Sequence, residues 1–282
     1  MSGKGKRAAV IGWPVNQSVS PVMHSFWLRA YGIDGDYSAL PVRPEEFEET
    51  VARLPSQGFA GASITVPHKE AAFALARERD EDATITGAAN TVVFESTGVR
   101  GMNTDVRGFS ASVIHTLGGD VIRGAPAVVL GAGGAATAIG LALARMGALE
   151  IRILNRTRAR AEGIRNQLAP FAKIDVLDWE NPQSAFEEAR LLVNTTSLGM
   201  IGKGKLELSL DGLPKDAAVA DIVYNPLETE LLATARIRGH RTVDGLGMLM
   251  HQGVPAFAAW FGVTPKVTPE LRASLEKALR GG

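Results

Sequence analysis

Three groups of residues in this sequence have side-chain types that could do chemistry. The first is Lys69 with Asp105, which their spacing alone does not pair. An ammonium can exchange a proton with a carbonyl oxygen, and a carboxylate can orient that ammonium and support its charge. Each also has a plain local reading, Lys69 as a surface lysine offset by Glu70 and Asp105 as a helix cap. The second group is the run Val128–Val129–Leu130–Gly131–Ala132–Gly133–Gly134–Ala135–Ala136. Gly131, Gly133 and Ala136 fill the three slots of the G-x-G-x-x-G/A dinucleotide fingerprint. A tight turn at Gly131, bare backbone at Gly133 and a small side chain at Ala136 would aim free N–H groups and the positive helix end at a pyrophosphate. The third group is Asn155–Arg156–Thr157 with Arg158 and Arg160. It stands where, roughly 20 residues past the glycines, an acid on the ribose 2′-hydroxyl is usual. Guanidinium groups pair instead with a 2′-phosphate, and cations in a first helical turn oppose the dipole unless an anion joins them. The cofactor expected is NADP in preference to NAD.

Elements must hold these groups in place. From 126 onward, strands and helices alternate: strands at 127–130, 150–154, 174–177, 191–194, 218–222 and near Thr242, helices at 137–145, 157–168 and 227–237, and a further segment at 185–190. That alternation predicts a parallel, doubly wound sheet, the Rossmann arrangement. The first half reads as strands at 8–12, 37–42 and 59–66. Helices follow from Ser20–Pro21, with Ser20 as cap, from Pro44 with its run of glutamates, and from Pro67. A hairpin at 91–94 and 99–102 and a helix from Thr104 or Asp105 complete it. Residues 245–261 and 269–279 form two last helices that return toward the first domain. The lysines and glycines of 203–205 suggest a mobile loop.

Composition removes several classes of function. Lys+Arg 30 balances Asp+Glu 30, so no basic field invites nucleic acid or an anionic membrane. With Cys 0, disulfides, thiolate zinc sites and a cysteine nucleophile are excluded. The five histidines show no metal-ligand spacing, and His24, His68 and His251 read as structural. Residues 124–144 carry no charge, yet Pro126, Gly131, Gly133, Gly134 and Gly140 suit a strand–turn–helix better than a membrane span. The apolar run 8–11 is a first strand, too short for a signal peptide, so a soluble cytoplasmic protein is expected.

Further motifs come in a telling order. They are Asn16–Gln17–Ser18–Val19–Ser20–Pro21, Ser63–Ile64–Thr65–Val66–Pro67–His68–Lys69–Glu70, Gly87–Ala88–Ala89–Asn90–Thr91 and Asn103–Thr104–Asp105, then Asp221–Ile222–Val223–Tyr224–Asn225–Pro226 and Asp244–Gly245–Leu246–Gly247–Met248–Leu249–Met250–His251–Gln252. Over nearly the whole chain this set resembles the shikimate dehydrogenase family. The resemblance implies NADP-dependent, reversible reduction of 3-dehydroshikimate to shikimate, with a small-molecule substrate, no nucleic acid or membrane partner, and a homodimer as a compatible assembly. It implies an α/β fold of two domains: a substrate domain with a mixed or parallel sheet at 1–105, a Rossmann NADP domain at 106–244, and C-terminal helices at 245–282 packing back on the first. It makes Lys69 and Asp105 catalytic and puts Ser18, Ser20, Thr65, Asn90, Tyr224 and Gln252 on the substrate. Gly131, Ala132, Gly133, Gly134, Ala135, Asn155, Arg156, Thr157, Arg160, Ile222, Gly245 and Met248 would touch the cofactor, with Glu81 near its nicotinamide end. No metal is implied.

Four features depart from the family pattern: Ser63 where Asn is usual, Ala89 where Val is common, Val106–Arg107 where a glycine follows the Asp, and Ile222 for Met. None removes a reacting group, though Val106 and Arg107 bear on substrate preference. Two other readings compete with the main one. A quinate or aminoshikimate dehydrogenase of the same family is one; Arg156 argues against an NAD-preferring quinate enzyme. A non-catalytic NADP-binding regulator is the other; its mark would be loss of Lys69 or Asp105, and both are present.

Overall fold

Short apolar runs cut by glycine and proline become buried strands, and amphipathic segments become the helices that cover them. The computed structural model describes residues 5–281. The chain divides into two compact units, one of Met1–Thr104 with Met250–Gly282 and one of Asp105–Leu249.

In the first unit, β1 (Lys6–Gly12) is followed by α1 (Ser20–Ala30), β2 (Gly35–Pro41), α2 (Phe47–Arg53), β3 (Phe59–Ile64) and α3 (Lys69–Leu75). The short β4 (Glu78–Arg79) and α4 (Glu81–Thr86) lead to the hairpin of β5 (Thr91–Glu95) and β6 (Gly98–Met102). The strand order is β2-β1-β3-β5-β6-β4. β1 runs parallel to both β2 and β3, with Ile11 opposite Leu40 and Ile64. β5 is antiparallel to β3 and β6, and β4 runs parallel to β6, so the sheet is mixed. Ile11, Phe47, Ile64 and Val92 belong to its core.

The second unit opens with α5 (Asp105–Leu117), then β7 (Pro126–Leu130), α6 (Ala136–Arg145), β8 (Glu150–Leu154), α7 (Arg158–Leu168), β9 (Ile174–Leu177), β10 (Leu191–Asn194), β11 (Ala218–Asp221), α8 (Glu230–Ile237) and β12 (Arg241–Val243). Its sheet is parallel throughout, in the order β12-β11-β10-β7-β8-β9. This is the doubly wound order, with the switch point where β7 meets β10. All five residues of β7 are buried, as expected of a strand with both faces covered. α9 (Gly245–Phe261) contributes its first turn to this unit and the rest, from Met250, to the first. α10 (Pro269–Arg280) packs on α1, so the chain's last helix returns to the first unit.

Local chemistry moves several boundaries from where sequence pattern sets them. Ser20 is already helical and Val19 holds the cap position, with no side-chain bond there. The segment 185–190 is not a helix: a 3-10 turn at Pro182–Ala185 ends in loop, and Glu188 adopts φ 55, outside any right-handed helix. α8 starts at Glu230, later than apolar spacing suggests, because the Thr229 side chain caps it by accepting from the Leu232 N–H at 3.3 Å. α4 escapes the pattern because it has only six residues; Asp80 caps it, accepting from the Ala83 N–H at 2.7 Å. The segment around Lys203 is a closed turn, with the Gly199 N–H donating to the Gly204 carbonyl at 2.8 Å.

Candidate functional site

In the second unit, β7 ends where the backbone must turn sharply. Gly131 takes φ +102, and its N–H donates to the Leu154 carbonyl at 2.8 Å. A Cβ there would stand 2.8 Å from the Thr196 methyl, so both conformation and space require glycine. Gly133 and Gly134 are exposed with nothing near the positions of their missing Cβ atoms. Ala132 and Ala135 flank them half-buried, and Ala136 is buried. Ala135 holds the N-cap position of α6 without a side-chain hydrogen bond, and no acid sits in the first turn. The helix therefore presents uncapped N–H groups and its positive end to an open cradle.

The end of β8 adds the charge. Asn155 donates from Nδ2 to the Thr157 carbonyl at 2.8 Å, closing the turn before α7. Arg156, Thr157, Arg158 and Arg160 are all exposed. Arg158 is paired with Glu162 at 3.3 Å, whereas among the described residues Arg156 and Arg160 have no carboxylate partner. Two unneutralised guanidinium groups at a helix start favour an anion. These residues fit a dinucleotide that bears an additional phosphate on its ribose.

Past the switch point, the loop after β10 completes the cradle. Asn194 Nδ2 donates to Asp221 Oδ1 at 3.0 Å, and the Thr196 N–H and hydroxyl both reach Asn194 Oδ1, at 3.0 and 2.8 Å. Asp221 also accepts from the Val223 N–H at 3.0 Å and the Thr229 hydroxyl at 2.8 Å. Burial pushes the Asp221 carboxyl up to about 6, against the pull of those three donors. Sequence reading passed over Asn194, Thr195 and Thr196, whose signal was a polar run directly after a buried strand. Ile222 and Tyr224 follow β11, both half-buried. Gly245 backs onto Ile222 so closely that a Cβ would lie 2.3 Å from the Ile222 carbonyl oxygen. Asp244 caps α9, accepting from the Leu246 and Gly247 N–H groups at 3.1 and 3.2 Å, and Met248 is buried one turn on.

In the first unit, the topology gathers the other sequence-predicted residues at one sheet edge. β1 and β3 end there, and antiparallel pairing brings the start of β5 and the end of β6 to the same place, with Thr91 opposite Met102. Ser18 lies in the loop after β1, where its hydroxyl accepts from the Ser20 N–H at 3.3 Å; Ser20 is buried. Thr65 follows β3, with its N–H on the Ile11 carbonyl at 2.9 Å. Among the described residues, the hydroxyls of Ser20 and Thr65 have no partner. Lys69 opens α3 half-buried, its carbonyl accepting from the Ala89 N–H at 2.9 Å. Asn90 is buried and locked to Thr104: Nδ2 donates to the Thr104 hydroxyl at 3.0 Å, and Oδ1 accepts from the Thr104 N–H at 2.8 Å. Glu81 is exposed at the start of α4, beside the same edge. Gln252 lies on the part of α9 seated against α1, and its Oε1 is buried without a partner. Asp105, buried, opens α5 in the second unit.

Other polar groups are structural. Ser63 is engaged by the Tyr37 hydroxyl at 2.8 Å, and His68 Nε2 donates to the Val42 carbonyl at 2.8 Å while stacking on Phe47. Val106 is buried in α5 and Arg107 exposed. Among the described residues no cluster of three His, Cys, Asp or Glu could hold a metal, and no helix is long and apolar enough to cross a membrane.

A second unit with a parallel doubly wound sheet and an uncapped glycine turn at its switch point, and a first unit with polar groups at one sheet edge, define a dinucleotide-binding α/β protein. Residues 10–92 match the family model for the shikimate dehydrogenase substrate binding domain, and residues 116–224 match that for shikimate / quinate 5-dehydrogenase. The chain belongs to the shikimate dehydrogenase family. It is 50% identical to the shikimate dehydrogenase (NADP(+)) of Methylobacterium radiotolerans, with 100% of each chain covered. Among solved structures, it resembles the shikimate 5-dehydrogenase of Thermus thermophilus in complex with NADP(H) and shikimate, at TM-score 0.84 and 34% identity, covering 98% of each chain. It also resembles a quinate dehydrogenase of Corynebacterium glutamicum in complex with NAD, at TM-score 0.86 and 30% identity, covering 98% of this chain and 99% of that one.

Proposed function

We propose that this chain is an NADP-dependent dehydrogenase that interconverts 3-dehydroshikimate and shikimate. The observation that carries the reading is the pair of unpartnered guanidinium groups, Arg156 and Arg160, beside an uncapped helix start, in a chain half-identical over its full length to an NADP-dependent shikimate dehydrogenase. Bound NADP supplies or accepts the hydride. Gly131, Ala132, Gly133, Gly134 and Ala135 hold its pyrophosphate, Asn155, Arg156, Thr157 and Arg160 its phosphorylated ribose, and Ile222, Gly245, Met248 and Glu81 its nicotinamide end.

Ser18, Ser20 and Tyr224 hold the substrate carboxylate by hydroxyl donors. Thr65, Asn90 and Gln252 match the ring hydroxyls, a role supported by the unsatisfied Gln252 Oε1, since a buried polar atom without a protein partner is costly unless a ligand completes it. Lys69 exchanges the proton at the carbonyl oxygen, where negative charge develops as hydride arrives, and Asp105 acts in the same step. A homodimer and a cytoplasmic setting are compatible with this reading.

The test is the reaction itself with the proton donor removed. Lys69→Ala should lower kcat by roughly a hundredfold or more, with a much smaller change in KM, because the interaction grows mainly in the transition state. Asp105→Asn should impair the same step, and the double variant should lose far less than the product of the two. A normal kcat with only KM raised would make Lys69 a binding residue and move the proton transfer elsewhere.

A further inference from the structure

The second unit contains a hollow of about 430 Å³, within the roughly 300–1,000 Å³ usual for small-ligand sites. Leu130 and Leu154, the last residues of β7 and β8, form part of its wall, with Arg156 at one side and Trp179 at another. In a doubly wound sheet the ligand lies beyond the carboxyl ends of the strands, and the residue after the second strand reads the adenosine ribose. β8 is that second strand, so the hollow lies on the adenosine side. Trp179 is the only aromatic residue lining it. It stands just past β9 in a tight turn, where the Glu180 N–H donates to Asp178 Oδ1 at 3.1 Å and the Asn181 N–H to the Asp178 carbonyl at 3.3 Å. Its indole is half-buried, packed against the cluster that contains Leu130, Leu154 and Phe186. A backed, partly exposed indole in a phosphate-binding corner is suited to a flat heterocycle. The charges set the orientation: Arg156 borders the hollow as a cation without a carboxylate partner among the described residues, Lys205 pairs with Glu230 at 3.4 Å beside the acid Glu207, and Glu180 stands beside Trp179, where a neutral base is tolerated and a phosphate is not.

We propose that Trp179 is the stacking platform for the adenine ring of the cofactor, with Arg156 at the ribose phosphate. The proposal rests on the NADP reading above and assigns a residue of this chain that the glycine turn and the arginines leave open. Neither the tight turn nor the apolar backing depends on the rest of the cofactor, so the adenosine half should bind by itself.

The experiment titrates the full chain with adenosine 2′,5′-bisphosphate, which has the base and the 2′-phosphate but no nicotinamide. Trp13, Trp27 and Trp260 belong to the first unit and Trp179 alone to the second, so the part of the emission change that disappears in Trp179→Phe is the signal of Trp179. Binding should quench that emission. Trp179→Leu should raise the Kd of the bisphosphate and of NADP by about five- to a hundredfold, the loss of one base–aromatic stack. Trp179→Phe should recover most of it, and turnover with reduced nicotinamide mononucleotide should be unaffected by either change. Saturable binding to the wild type without quenching would overturn the proposal even if Trp179→Leu does not fold. So would an equal loss in Trp179→Phe and Trp179→Leu. If the wild type binds no NADP at all, the function itself is wrong; if it binds and turns over NADP while Trp179→Leu keeps its affinities, only the stacking fails.

Discussion

On the proposed reading, cofactor choice and substrate grip rest on different side chains, so each can be tested alone. Among the described residues Arg156 has no carboxylate partner, and on the proposed reading it meets the 2′-phosphate. Arg156→Ala should therefore weaken NADP by about ten- to a hundredfold, the value of lost charge-assisted hydrogen bonds, and leave NAD almost unchanged. Equal loss for both cofactors in paired titrations would mean that Arg156 does not read the phosphate. At the other end of the reaction, Ser18→Ala should raise the KM for shikimate. If the methyl ester is used as well as the free acid by the unaltered enzyme, the hydroxyls hold something other than a carboxylate. The candidate residues were legible because each sits in a short, dense motif. What the motifs could not give was whether a polar group is spent internally. Ser63 turns out to be bound by Tyr37, while among the described residues Gln252 Oε1 is left without a partner.

At the scale of elements, long periodic segments and glycine-bounded apolar runs were readable, and α9 begins and ends where its sequence suggests. Elements fixed by one side chain or one backbone angle were not: α4 rests on Asp80, the start of α8 on Thr229, and the loop at 185–190 on the positive φ of Glu188. The mixed sheet of the first unit depends on a close approach that sequence alone hides. A Cβ on Gly61 would lie 2.1 Å from the Val92 carbonyl oxygen and 2.2 Å from Trp260 Nε1, which itself donates to that carbonyl at 2.9 Å. Gly61→Ala must part β3 from β5 or unseat α9, at a cost of about 3 kcal/mol or more. A thermal midpoint within a degree or so of wild type would show that the sheet relaxes around the methyl, contrary to this account.

The whole molecule should show its buried titratable groups as a pH dependence of stability. His24 is fully enclosed by Trp27, Tyr37, Phe257 and Trp260, with neither ring nitrogen hydrogen-bonded, and burial lowers its pKa from 6.5 to about 3. Below pH 6.5 the unfolded chain takes up a proton that the folded chain refuses, so stability present above that pH is lost as pH falls toward 3. Asp221 works in the opposite sense: with its folded pKa raised from 3.8 to about 6, its contribution is full below 3.8 and lost as pH rises through 6. Melting curves between neutral and mildly acid pH should show His24→Phe holding its midpoint where the wild type loses it, and Asp221→Asn gaining most near neutrality. An unchanged acid loss in His24→Phe would put the sensitive group elsewhere.

The central claim concerns the reaction, and the most direct measurement is the initial rate of reduced-nicotinamide absorbance with shikimate or quinate as substrate and NADP or NAD as oxidant. The account predicts that shikimate with NADP has by far the largest kcat/KM of the four pairs, and that Arg156→Ala narrows the gap between NADP and NAD. Quinate with NAD as the best pair, or no reduction of either cofactor by shikimate, would contradict it.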